Sequence, residues 1–342
     1  MNELTITDEK LKELLSNENT FAPILEKYFE FYQDKPFSGA YRLKRNVVIV
    51  ESEPKTKSLD NESLSDFKGS IFQQAIDKAN SDARDKRADK YNAVKNNPNR
   101  IKIVSEGDSW FQYPRFEIKD IQIKKGVKDI IDHLIGNDKF AIKSLDAAGD
   151  IIRNMYHQRE YFHIIKREEP DFFLISAGGN DFFEVFAHML QKNENPQNLP
   201  QWLGPNFETE ITVLKSYYIA LLEELVKAFP KLKIILHGYD YILPRIDGKW
   251  IGKPMINVEM NQRETRINLI KYIMDKFNEA IESIANHPNL KEQVHYLDIR
   301  ETVPQVKAMW HDEIHPNDAG FRLVADKFIA KINELYTSSV VL

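Results

Sequence analysis

The chain has 342 residues, 42% hydrophobic and 29% charged, which excludes a disordered or fibrous chain and allows a sizeable core. A net charge of −5 is too near neutral to imply a nucleic-acid surface, and the lack of cysteine excludes disulfides and thiol chemistry. The N-terminal MNELTITDEKLKELL has acidic residues where a secretion signal has basic ones, no apolar stretch approaches the ~18 residues of a membrane span, and no lipidation motif is visible, so a soluble cytoplasmic protein is expected.

Residues 1–99 differ in pattern from the rest. Apolar residues recur at helical spacing over 8–15 and 20–32, with Thr7 and Thr20 suited to cap these helices and Phe21, Leu25, Tyr28, Phe29 and Tyr32 forming one face. The run RNVVIVESE at 45–53 has strand character, residues 51–66 read as a loop, and 70–94 reads as one long charged helix ended by Asn96, Asn97, Pro98 and Asn99. Within that helix Arg84, Lys86, Arg87 and Lys90 interleave with Asp82, Asp85 and Asp89, which reads as a solvated face. The expectation is an α-rich extension over 1–99 of unknown role: a lid, a self-association surface or a module for a protein partner.

From residue 100 to 342 a second domain is expected. Apolar runs at 101–104, 140–145, 172–176, 234–236 and 295–299 alternate with helical stretches near 151–166, 207–229, 258–286 and 317–336. That alternation predicts a parallel sheet covered by helices on both faces. Two turn-rich insertions, 187–206 and 239–256, follow strand ends and are placed to overhang a site at the carboxyl edge of the sheet.

Four of the strand ends carry chemistry. EGDSW at 106–110 follows the first strand, where a tight turn can expose the Ser109 hydroxyl and aim its N–H at a developing oxyanion. SLDAAGD at 144–150 offers Gly149, whose backbone can approach a ligand closely. SAGGNDFF at 176–183 offers the amide of Asn180, a donor that stabilises negative charge without giving up a proton. WHDEIHPNDAGF at 310–321 places Asp312 and His315 three residues apart, so a carboxylate can accept from one imidazole nitrogen and leave the other free to take a serine proton. Pro316 stops a helix from running through His315, and Asn317 can cap the helix that follows. Each motif alone is ordinary turn chemistry; at four ends of one parallel sheet they point to one site.

These blocks, GDS at 107–109, Gly149, G-x-N-D at 178–181 and D-x-x-H-P at 312–316, resemble in order those of the SGNH/GDSL hydrolase superfamily over about residues 100–338. The resemblance implies a three-layer α/β/α sandwich of the flavodoxin-like kind with a five-stranded parallel sheet. It also implies a serine hydrolase that cleaves an ester (carboxylic ester, lipid or acylated sugar) through an acyl-enzyme, without metal or cofactor. Ser109 would be the nucleophile, His315 the base, Asp312 its orienting carboxylate, and Ser109 N–H, Gly149 N–H and the Asn180 amide the oxyanion hole. Trp110 departs from the family pattern, which has leucine there, and about a hundred residues precede a serine block that usually lies near the start of the chain.

Two rival readings remain. His311 and His315, four apart, would share a zinc ion on a helix, but Pro316 disfavours that helix and Glu313 is out of register for a zinc-peptidase pattern. An idle fold acting as a binding or assembly module through the N-terminal region is the other, and the completeness of the blocks argues against it. Tyr239, Tyr241 and Trp250 either line a pocket or pack a loop, and His133, His157, His163, His188, His237, His287 and His295 read as structural or surface residues.

Overall fold

The computed structural model describes residues 4–7, 29–32, 40–43, 47–50, 81–113, 116–117, 124–125, 127–195, 197–246, 248 and 250–340. Two compact units emerge: Met1–Asp34 with Ser38–Ala83 and Pro114–Gly126, and Lys35–Phe37 with Arg84–Tyr113 and Val127–Leu342. Residues 84–99, expected in the extension, are thus grouped with the second unit, and Pro114–Gly126 with the first.

Among its described residues the first unit has three strand pairs: Leu4–Thr7 parallel to Val47–Val50, Phe29–Tyr32 antiparallel to Ala40–Leu43, and Phe116–Glu117 antiparallel to Lys124–Lys125. Strand Phe29–Tyr32 corrects the helix expected over 20–32 at those four residues, a Phe-Glu-Phe-Tyr run in which aromatics favour the extended backbone once a partner strand is present. The strand expected within 45–53 is found at Val47–Val50. The helix expected over 8–15 and the first part of that over 70–94 lie outside the described residues.

The second unit is built on five strands: β1 (Ile101–Gly107), β2 (Phe140–Ser144), β3 (Phe172–Ser176), β4 (Lys233–His237) and β5 (Val294–Leu297). They pair in the order β5-β4-β3-β1-β2, every pair parallel. This is the doubly wound order of the flavodoxin-like fold, as expected. Central β3, Phe-Phe-Leu-Ile-Ser, is buried throughout, the signature of a strand covered on both faces. Each such Leu, Ile or Phe contributes about 1.5–3 kcal/mol by leaving water.

Helix α1 (81–94) precedes β1. After it come α2 (Ile130–Ile135), α3 (Ile152–Gln158), α4 (Glu160–Glu168), α5 (Gly179–Glu184), α6 (Phe186–Met189), α7 (Asn206–Ala228), α8 (Gly252–Asn257), α9 (Arg263–Ala285) and α10 (Asp318–Val340). Helix α2 packs with α10, while α3 and α9 both pack with α7. Right-handed crossovers put these two groups on opposite faces of the sheet. The single helix expected over 151–166 is instead two, because Arg159 adopts φ 55° and turns the chain between them. The chain runs from β1 to β2 on one side and returns to β3 on the other, so the crevice at the carboxyl ends lies where β1 and β3 adjoin.

Candidate active site

The Ser109 turn grows directly from β1. Asp108 N–H donates to Ser176 O at 3.0 Å, and the N–H groups of Phe111 and Gln112 both donate to Asp108 O, at 3.0 and 2.8 Å. The Asp108 carboxylate is wholly buried and accepts from Trp110 N and Ser176 Oγ, both at 3.0 Å, and from the Tyr239 hydroxyl. That hydroxyl accepts in turn from Gly179 N–H at 3.0 Å, so one chain of bonds fastens the end of β1 to the end of β3. Burial pushes the Asp108 carboxyl up to about 6 against the opposing pull of these hydrogen bonds. Ser109 stands on this turn, 1% exposed.

His315 reaches it from the far end of the sequence. Ser109 Oγ and His315 Nε2 lie 2.8 Å apart, and His315 Nδ1 lies 2.8 Å from Asp312 Oδ2. Asp312 Oδ1 accepts from the N–H groups of Ile314 and His315, both at 2.8 Å, so the loop wraps its own carboxylate. Burial alone would raise the Asp312 carboxyl; attraction to His315 and these bonds hold it below its ordinary value. An ionised Asp312 accepting from Nδ1–H leaves a lone pair on Nε2 facing the serine hydroxyl. Pro316 bridges Trp310, and Asn317 Oδ1 accepts from Ala319 N at 3.0 Å and Gly320 N at 3.1 Å, the cap expected for α10. The segment is a loop, with both ring nitrogens of His315 engaged, which leaves no helical His311/His315 pair for a zinc ion.

The other two blocks converge through their own loops. Gly149 adopts φ 86° and Gly178 φ 95°, conformations that L side chains rarely take, and a Cβ on Gly178 would meet Leu214 Cδ1 at 2.6 Å. Asn180 Nδ2 donates to Asp150 O at 2.7 Å, and Ile152 N donates to Asp181 Oδ2 at 3.0 Å, stitching the Gly149 loop to the Asn180 loop. Among the described residues the N–H groups of Ser109 and Gly149 have no hydrogen-bond partner. The Asn180 amide has a second N–H beyond the one given to Asp150.

Several residues that secure this arrangement were given other roles, or none, by the sequence. Arg87, expected on a solvated face, is buried and binds Asp129 through Nη2 at 2.7 and 2.6 Å. Glu313, between Asp312 and His315, accepts from the N–H groups of Arg245, Trp250, Ile251 and Gly252 at 3.0, 3.1, 3.3 and 2.9 Å. This cage brings the 239–256 insertion onto the His315 loop. The 187–206 insertion closes on itself through Gln191 N to Trp202 O at 2.9 Å and packs against α9. Tyr239 is a buried tie rather than a pocket wall, Tyr241 donates to Asp275 Oδ1 at 2.6 Å, and Trp250 is partly buried in the Glu313 cage. Trp110 is wholly buried, edge-on to Tyr239 and Phe321. His237 is buried and stacks on Phe111.

No curated protein matches the chain. Among solved structures it is similar to an extracellular lipase from Streptomyces rimosus (14% identity, 67% of this chain and 99% of that one, TM-score 0.44). It is similar also to phospholipase A1 from Streptomyces albidoflavus (13%, 67% and 99%, 0.43) and to a carbohydrate esterase family 3 protein from Talaromyces cellulolyticus (14%, 70% and 99%, 0.41). The profile of the GDSL-like Lipase/Acylhydrolase family matches residues 132–323, which hold Gly149, Asn180, Asp312 and His315; Ser109 lies before it. Covering more than half of the sequence, that match places the chain in the GDSL-like Lipase/Acylhydrolase family.

Proposed function

We propose that the protein hydrolyses a carboxylic ester through an acyl-enzyme on Ser109. The observation that carries this reading is the unbroken chain from Ser109 Oγ through His315 to Asp312, 2.8 Å at each step. In the first half-reaction His315 Nε2 takes the hydroxyl proton as Ser109 Oγ adds to the ester carbonyl. The carbonyl oxygen becomes an oxyanion received by Ser109 N–H, Gly149 N–H and the Asn180 amide. Collapse breaks the bond to the alkoxy oxygen, which leaves as an alcohol with the proton from His315. Water then repeats the sequence on the acyl-serine and releases the acid. Asp312, held ionised, stabilises the imidazolium formed in each half.

Among the described residues nothing else occupies the N–H groups of Ser109 and Gly149, which supports the oxyanion role, since preorganised donors contribute most when free. Rapid mixing with p-nitrophenyl acetate tests the reading. The expected trace is a burst of about one nitrophenolate per chain followed by slower turnover. His315→Ala should lower the rate by on the order of 10⁴-fold or more. A steady rate that His315→Ala leaves unchanged would contradict the mechanism.

A further inference from the structure

Helix α1 sets Arg84, Arg87, Tyr91 and Val94 along one stripe, at i, i+3, i+7 and i+10. Arg87 is 5% exposed, and its guanidinium is shared among several segments. Nη2 holds both oxygens of Asp129 and lies 3.1 Å from Asp132 Oδ2. Nη1 donates to Phe111 O at 2.9 Å and Ser144 Oγ at 3.2 Å and lies 3.5 Å from Asp146 Oδ2. Asp129 passes this tie on, accepting from Tyr113 N at 2.9 Å. Asp146 accepts from Ser105 Oγ at 2.8 Å and Ser144 Oγ at 2.5 Å. Arg84 adds Nε to Asp146 O at 3.0 Å and a second bond from Nη2 to Leu145 O.

One side chain thus touches the backbone two residues after Ser109 and the carboxylate three residues before Gly149. These two stretches carry the backbone N–H groups assigned above to the oxyanion. We propose that Arg87, assisted by Arg84, is a positioning residue that sets the spacing of the Ser109 and Gly149 donors from a helix outside the family-matched segment 132–323. The inference rests on the serine-hydrolase reading. Its physical basis is that oxyanion donors act only within about 2.7–3.1 Å of the developing charge, so a shift near 1 Å costs on the order of 10²-fold in rate. A guanidinium suits the task because its planar fork serves several acceptors at once, whereas an ammonium is a point charge on a flexible stem.

The test uses the full chain and the variants Arg87→Lys, Arg84→Gln and Tyr91→Phe. Tyr91 lies on the same stripe but donates to Glu168 Oε2 at 2.8 Å, away from both loops, so its variant reports helix docking alone. Acylation by p-nitrophenyl acetate is measured together with KM and with affinity for phenylboronic acid, which forms a tetrahedral adduct on an active serine. Arg87→Lys should slow acylation by roughly 10- to 100-fold and weaken boronate binding in step, with KM within about twofold. Arg84→Gln should give a smaller loss of the same form, and Tyr91→Phe none. Folded Arg87→Lys and Arg84→Gln proteins with wild-type acylation and boronate affinity would overturn the proposal, as would an equal loss in Tyr91→Phe. If Arg87→Lys does not fold, Arg84→Gln decides, since Arg84 is half-buried at the edge of the cluster; native boronate affinity there overturns the proposal. A wild type that neither turns over nor acylates overturns the hydrolase reading and this inference together, whereas an active wild type with indifferent arginine variants overturns this inference alone.

Discussion

Asn180 shows how a single side chain can serve two loops. One N–H of its amide is given to Asp150 O, tying the Gly149 loop in place, and its second N–H is the donor proposed to face the oxyanion. Asn180→Ala removes both, and kcat should fall by on the order of 10²–10³-fold with a much smaller change in KM, read from steady-state ester hydrolysis. A rise in KM with kcat intact would mean that Asn180 binds substrate rather than its transition state. The placing of Ser109, Gly149, Asn180, Asp312 and His315 on loops after strand ends was legible in the sequence because each loop follows a recognisable apolar run, and the ends of parallel strands share an edge. Arg87 was not legible. Its acidic neighbours Asp85 and Asp89 are exposed while Arg87 points inward, and only the 84-87-91-94 spacing separates the two faces. Tyr239 was noticed for its aromatic ring, yet its hydroxyl does the tying, and a hydroxyl's partner is set by three-dimensional approach to Asp108.

At the scale of loops and strands, the Glu313 cage and the end of β4 carry separate expectations. Glu313 accepts four backbone N–H bonds, which a glutamine with one acceptor oxygen cannot replace. Glu313→Gln should cost about 1–3 kcal/mol in urea unfolding and speed proteolysis within 245–252; an unchanged midpoint and cleavage pattern would show that the loop is held by other contacts. His237, at the end of β4, is buried with Nδ1–H donating to Gly238 O, and burial pushes its imidazole from 6.5 down to about 4. The folded protein keeps it neutral while the unfolded chain takes up a proton below about 6.5. The stability this represents is present above that pH and is lost as pH falls toward 4, about 3 kcal/mol in all. His237→Phe should therefore lose less stability than wild type between pH 7 and pH 4, and equal losses would contradict a neutral buried imidazole. The five strands were legible from their apolar runs. The break at Arg159 was not, because IIRNMYHQREYFHIIKRE keeps helical spacing through a residue whose left-handed backbone has no glycine to announce it.

For the molecule as a whole, alternation of strands and helices sufficed for a doubly wound sheet. The chain change near residue 100 marks where β1 begins, whereas the segment from Arg84 already belongs to the unit because Arg84, Arg87 and Tyr91 are bonded into it. A chain truncated to begin at residue 100 deprives Asp129 and Asp146 of their guanidinium, and breaking a buried ion pair costs up to about 3–5 kcal/mol. It should melt well below an otherwise identical chain that begins at residue 81; equal melting temperatures would mean that α1 adds nothing to the stability of the unit. Hydrolysis by this molecule depends on an activated Ser109. The most direct measurement is labelling by a fluorophosphonate probe, on wild type and on Ser109→Ala. Covalent labelling of the wild type at Ser109 is expected, abolished in Ser109→Ala and strongly slowed in His315→Ala. A folded wild type that takes no label, or label that persists in Ser109→Ala, would contradict it.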